Sequence, residues 1–189
     1  LAGYLGFDLA EDNETVIGLG YFITPDFLFF DVYYILATLI FYFFWSYYSP
    51  HEWQRWSILG SSLLILMAYL TVQVSVVINA WYGPFYNDVQ KALNGNGEIT
   101  ASDLYEHLAV FCVIVFPYIV FVPLKLFFTS HYVFRWRNAM NDYYLEKWSK
   151  VRKVEGASQR IQEDTMRFSG IMQGLGVAMV DSVMTLISF

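Results

Sequence analysis

The sequence predicts an all-α, polytopic membrane protein, and three observations carry that prediction. Hydrophobic residues make up 57% of the 189-residue chain and aromatics 20%, both well above a soluble domain. The apolar positions gather into four runs, residues 27–48, 58–81, 108–128 and 168–189. Each is near the roughly 20 helical residues that a hydrocarbon core about 30 Å thick requires. Eight of the eleven basic residues lie between residues 135 and 167, whereas the first thirty-one residues hold six carboxylates and no base. Lys and Arg gather on the cytoplasmic side of membrane proteins, so this asymmetry places the N-terminal end outside. The net charge of -6 averages an acidic outer face with a basic inner one, and implies nothing about the charge of a partner. No run alternates with period two over the length of a barrel strand, which disfavours a β-barrel.

The elements follow in order. Residues 1–26 are acidic and Gly-rich and read as an extracytoplasmic segment. Residues 27–189 read as a transmembrane domain incomplete at its C-terminal end, because Phe189 sits inside an apolar run with no polar flank. The first run carries one charge, Asp31, and closes on the interfacial aromatics Trp45, Tyr47 and Tyr48. Ser49-Pro50-His51-Glu52 has the pattern of a capping box, which starts a second helix at about Pro50. That helix runs outward through residues 58–81, which hold no charge and only the amides Gln73 and Asn79. Gly83-Pro84 breaks or kinks it, residues 85–93 continue it amphipathically, and Asn94-Gly95-Asn96-Gly97 turns the chain. Thr100 with Asp103 is a second capping pattern. The third helix passes Pro117 and Pro123, which membrane spans tolerate better than soluble helices. Tyr132, Trp136, Tyr143, Tyr144 and Trp148 recur among charges beyond its apolar run, so the helix projects past the membrane. Glu155-Gly156-Ala157-Ser158 is the next break, and a fourth helix returns from about Gln159.

Four segments carry a family resemblance: HEWQRWSILG (51–60), NAWYGPFY (79–86), SHYVFRWR (130–137) and EGASQRIQEDTMRF (155–168). Together and in this order they resemble the SbmA/BacA family of bacterial inner-membrane peptide transporters, over roughly residues 26–189. The resemblance implies the N-terminal part of a membrane domain similar to that of ABC exporters but without an ATPase domain. It also implies a homodimer, proton-driven uptake, and cargo that includes peptide antibiotics and, in some members, bulky solutes such as cobalamin. Members are about twice this length. Residues 159–164 also resemble a loop motif of ATPase-bearing peroxisomal-type ABC transporters.

Proton coupling needs carboxylates whose charge can be removed by burial and restored by a change of access. Asp181, deep in the fourth run, is the first candidate, with a structural hydrogen-bonding acid as the alternative. Glu163 lies eighteen residues earlier on the same helical face, about 27 Å away at 1.5 Å per residue. It reads equally as a cytoplasmic ion-pair member among Arg160, Asp164 and Arg167. The resemblance implies glutamates where this chain has Gln73 and Gln173. These keep the hydrogen bonding of a substrate cavity but cannot titrate, and Asp181, about two turns beyond Gln173, can take over the role. Tyr82, Phe85 and Tyr86 are candidates for an outer peptide vestibule, with an aromatic belt as the alternative. Lys125 reads as a snorkelling interfacial cation rather than a partner of a cavity acid. Gly170, Gly174, Ala178 and Ser182 form a small-residue stripe that reads as intramolecular helix packing rather than a dimer seam.

Other chemistries find no residues. His51, His107 and His131 lack metal-ligand spacing. Cys112 is alone in an apolar run and reads as a structural thiol. No phosphate loop, Ser/His/Asp set or paired-Cys motif occurs, so neither an enzyme nor a cofactor is expected. The basic, aromatic-rich stretch after Arg135 reads as contact with lipid headgroups, not nucleic acid. The leading function is a proton-driven peptide importer. The membrane half of an ATP-driven transporter and a non-transporting membrane scaffold are the alternatives.

Overall fold

The computed structural model describes residues 17–95 and 99–189. Every regular element among them is helical, as the four apolar runs require. A 3-10 turn, Leu19–Ile23, leads into α1 (Pro25–Tyr48), α2 (Gln54–Leu93), α3 (Ala101–Glu146), the single turn α4 (Trp148–Val151) and α5 (Ala157–Ser188). Helices α1, α2, α3 and α5 are each long and apolar enough to cross a membrane. Large apolar side chains such as Ile40, Phe43, Phe116 and Leu175 stay exposed along them. A lipid-facing helix surface has this character, since no water needs to be excluded there.

The break between α1 and α2 differs from the expected capping box. The Ser49 amide still donates to Trp45 O at 2.9 Å, which makes it part of the last turn of α1. Pro50 has no N–H to continue that ladder. His51 then does the capping: its Nδ1 accepts from the Trp53 amide at 3.2 Å and its carbonyl from Gln54 N–H at 3.1 Å. Helix α2 consequently begins at Gln54, not Pro50. The Gln54 side-chain amide donates to Tyr42 O and Ser46 Oγ, tying the two helix ends together.

Gly83-Pro84 does not end α2, which runs 40 residues with Pro84 inside it. Proline removes one i→i−4 hydrogen bond, but stacked aromatics bridge the site, Trp81 on Phe85 at 4.6 Å and Tyr82 on Tyr86 at 5.8 Å. The helix ends at Leu93, and Gly95, with φ of 72°, makes the left-handed turn expected after it. Asn96 and Gly97 of that turn, and the carboxylates Asp8, Glu11, Asp12 and Glu14, lie outside the described residues.

Asp103 supplies the back-reaching half of the expected capping box, its Oδ2 accepting from the Thr100 amide at 2.7 Å; the Thr100 hydroxyl donates to the same oxygen at 2.8 Å, and the Asp103 amide goes instead to Thr100 O at 3.2 Å. Helix α3 keeps its form through Pro117 and Pro123 for 46 residues. At 1.5 Å per residue that is about 69 Å, twice a hydrocarbon core, so it must extend beyond the membrane. Gly156, at φ 71°, sets the start of α5 at Ala157, two residues before the expected Gln159.

Packing divides the chain into two compact units, the first from the described residues up to Ile40 and in Thr71–Phe121, the second from Phe41–Leu70 and Val122–Phe189. In the first, Trp81 is buried and its indole N–H donates to His107 O at 2.9 Å. His107 Nε2 in turn lies 3.0 Å from Asp88, whose other oxygen meets Lys91 at 3.2 Å. In the second, Gly60 permits a close approach of α3. A Cβ at that position would stand 2.8 Å from Tyr132 Cδ2, well inside van der Waals contact.

Candidate functional site

In the second unit, α2, α3 and α5 wall a cavity of about 230 Å³. Most of the lining is apolar, as a span interior requires. α2 supplies Ser61, Leu64, Ile65 and Ala68; α3 supplies Thr129, Tyr132 and Trp136. Into it project Lys125 from α3 and Gln173 and Asp181 from α5.

Lys125 Nζ lies 3.1 Å from Asp181 Oδ1. The sequence reading of Lys125 as a snorkelling cation is therefore corrected: its side chain is only 17% exposed and it pairs with the acid on the facing helix. The reason is electrostatic. A cation and an anion within spans each cost several kcal/mol alone, and pairing removes most of that cost. Asp181, at 41% exposed, is the more accessible partner. The backbone around the pair is held locally: Thr129 Oγ1 donates to Lys125 O at 2.8 Å, and Thr185 Oγ1 to Asp181 O at 2.7 Å. Gln173 lines the same cavity two turns before Asp181, so an amide and a titratable carboxylate share one wall.

The other expected residues are placed elsewhere. Glu163 is exposed and accepts from Gln159 Nε2 at 3.1 Å, one turn away. Gln73 belongs to the first unit, where it is buried and its Oε1 accepts the Tyr21 hydroxyl at 2.7 Å. Burial pushes the Tyr21 phenol above its ordinary value of 10.0. Phe85 packs between Trp81 and His107, whereas Tyr82 and Tyr86 remain 44% and 54% exposed. The small-residue stripe on α5 was expected to pack within the chain. Gly170, Gly174, Ala178 and Ser182 are instead exposed, and a Cβ added at either glycine meets nothing within 4 Å. Cys112 is exposed on α3. Among the described residues no cluster of His, Cys, Asp or Glu is arranged to hold a metal.

Four membrane-length helices, with a charged pair held on the wall of a cavity between three of them, have the form of a membrane transporter. The chain belongs to the SbmA/BacA-like family, which it matches over residues 50–189, a stretch that contains all four motifs described above. It is also similar to an uncharacterised ABC transporter ATP-binding protein of Synechocystis sp., at 28% identity over 150 residues. That alignment covers 73% of this chain and 21% of the relative, so the chain spans about a fifth of that protein's length.

Proposed function

We propose that the full-length protein is a homodimeric, proton-driven importer of peptides across the bacterial inner membrane, with the N-terminal end of this chain outside. Membership of the SbmA/BacA-like family supports the transport class. The observation that carries the coupling is the Lys125–Asp181 pair on the cavity wall. A proton arriving on Asp181 removes the anion and leaves the Lys125 ammonium uncompensated among apolar side chains. Helices α3 and α5 then lose the attraction that joins them at this level, and a rearrangement giving Lys125 water or another acceptor becomes favourable. Loss of the proton on the other side restores the pair. A charged group that switches partners in this way couples proton occupancy to helix position without a cofactor.

The cavity is too small for the cargo. Its 230 Å³ falls below the roughly 300–1,000 Å³ of small-molecule pockets. It serves as a coupling site, and the peptide path is formed elsewhere, with exposed Tyr82 and Tyr86 as candidates for its outer rim.

A second reading, the membrane half of an ATP-driven transporter, is favoured by the similarity to the ABC transporter ATP-binding protein. Proteoliposomes containing the full-length protein separate the two. An inward proton gradient alone should drive uptake of a labelled peptide, and a protonophore should stop it. Uptake that needs ATP inside the vesicle and survives the protonophore would establish the second reading. Absence of uptake under both conditions would favour a membrane scaffold.

A further inference from the structure

A second depression lies between the first turns of α2 and the facing stretch of α3. It has a volume of about 460 Å³ and is lined at one end by Glu52, Arg55 and Arg135 and further on by Leu59, Leu63 and Phe128. The two ends differ in character. Both arginines are exposed, and neither belongs to an ion pair among the described residues. Arg135 is held in place by packing, its guanidinium 4.6 Å above the Trp56 ring. Trp56 itself is fixed by stacking on Tyr132, with ring centroids 6.2 Å apart. Among the described residues its buried Nε1 has no hydrogen-bond acceptor. The apolar end continues as a strip: Leu59 and Leu63 are 37% and 39% exposed and stand one turn apart on α2.

We infer that this groove is a binding site for one anionic phospholipid of the phosphatidylglycerol type, the phosphodiester between Arg55 and Arg135 and an acyl chain along Leu59, Leu63 and Phe128. Three observations select that ligand. The Ser49–Trp53 turn that precedes α2 ends one membrane-length helix and begins another, which puts the arginines at headgroup depth and the leucines below it. The charges at the mouth, two arginines and Glu52, sum to +1, matching the single negative charge of a phosphodiester. The guanidinium forks offer paired N–H donors to phosphate oxygens, a geometry that a lysine lacks. A soluble phosphate would satisfy the polar end but leave the apolar strip uncovered. The site does not depend on the direction of transport or its energy source.

Native mass spectrometry of the full-length protein tests the assignment, with equal amounts of phosphatidylglycerol, phosphatidylethanolamine and phosphatidylcholine offered in mixed micelles. Phosphatidylglycerol should be retained preferentially. Arg55→Gln or Arg135→Gln should each lower that retention about fivefold, and the double variant about thirtyfold. Glu52→Gln should raise it, and millimolar inorganic phosphate should not displace the lipid. Among the described residues the cation–π contact at this groove is made by Arg135 and not by Arg55, so Arg55→Gln keeps the test decisive if Arg135→Gln fails to fold. Retention of phosphatidylglycerol that is unchanged by Arg55→Gln would overturn the site. So would equal retention of the zwitterionic lipids, or displacement by inorganic phosphate.

Discussion

Replacing Lys125 and Asp181 singly and together gives a thermodynamic measure of the pair at 3.1 Å. Exposed ion pairs contribute about 0.2–1 kcal/mol, and removing one member of a fully buried pair costs about 3–5 kcal/mol. Side-chain exposures of 17% for Lys125 and 41% for Asp181 put this pair between those limits. The expected coupling, discounted for that exposure, is about 1–2 kcal/mol. The two single variants should differ. Asp181→Asn strands the more buried partner and should cost about 2 kcal/mol, whereas Lys125→Met strands the more exposed carboxylate and should cost about 1 kcal/mol. The double variant should then lose less than the sum, because neither charge is left alone. SDS-titrated unfolding of the full-length protein in mixed micelles measures all four corners of the cycle. Losses that add to within about 0.5 kcal/mol would mean that the two groups do not interact, and would remove the pair from the coupling mechanism.

Three further outcomes are expected. Gly60→Ala places a methyl group 2.8 Å from Tyr132 and should destabilise the protein by about 1–3 kcal/mol in the same unfolding assay, with relief when Tyr132→Ala is added; equal stability of Gly60→Ala and wild type would contradict the close approach. Tyr21→Phe removes the hydrogen bond to buried Gln73 and should cost about 1 kcal/mol at pH 8. Because burial raises the Tyr21 value above 10.0, its contribution is full below pH 10.0 and is lost as pH rises through the raised value, so the gap between wild type and Tyr21→Phe should shrink above that point; a gap that widened there would reverse the sign. In a Cys112→Ser background, a cysteine at Asn94 should be labelled from outside by an impermeant reagent and one at Ser149 should not, and the reverse pattern would invert the topology. Asn94 is preferred to Gly95, where φ of 72° would strain a cysteine.

The helices were legible because a span has to bury a fixed length of apolar chain, and that length is visible without knowledge of packing. Helix ends were less so. The Ser49-Pro50-His51-Glu52 pattern fits a capping box, yet the Ser49 amide was already committed to Trp45, a competition that the local pattern does not display. Gly83-Pro84 reads as a break because the aromatic stacking that carries α2 across it depends on neighbours four residues apart and on α3. Asp181 is recognisable as a misplaced charge, whereas Lys125, ten residues before Arg135, reads as a snorkelling cation although it is the one lone cation within the apolar runs. Matching lone opposite charges across spans would have found the pair. The α5 stripe misled in the other direction: small residues permit close packing but do not name the partner, and among the described residues nothing covers them.

Acid-gradient-driven peptide uptake by Asp181→Asn, compared with wild type at matched membrane levels of full-length protein, tests the coupling most directly. Asparagine keeps the shape and much of the hydrogen bonding but carries no titratable proton. Uptake should fall to the level seen with a collapsed gradient, while dimer assembly and peptide binding persist. Near-normal uptake by Asp181→Asn would contradict coupling through the Lys125–Asp181 pair and move the proton path to Glu163 or to carboxylates outside these residues.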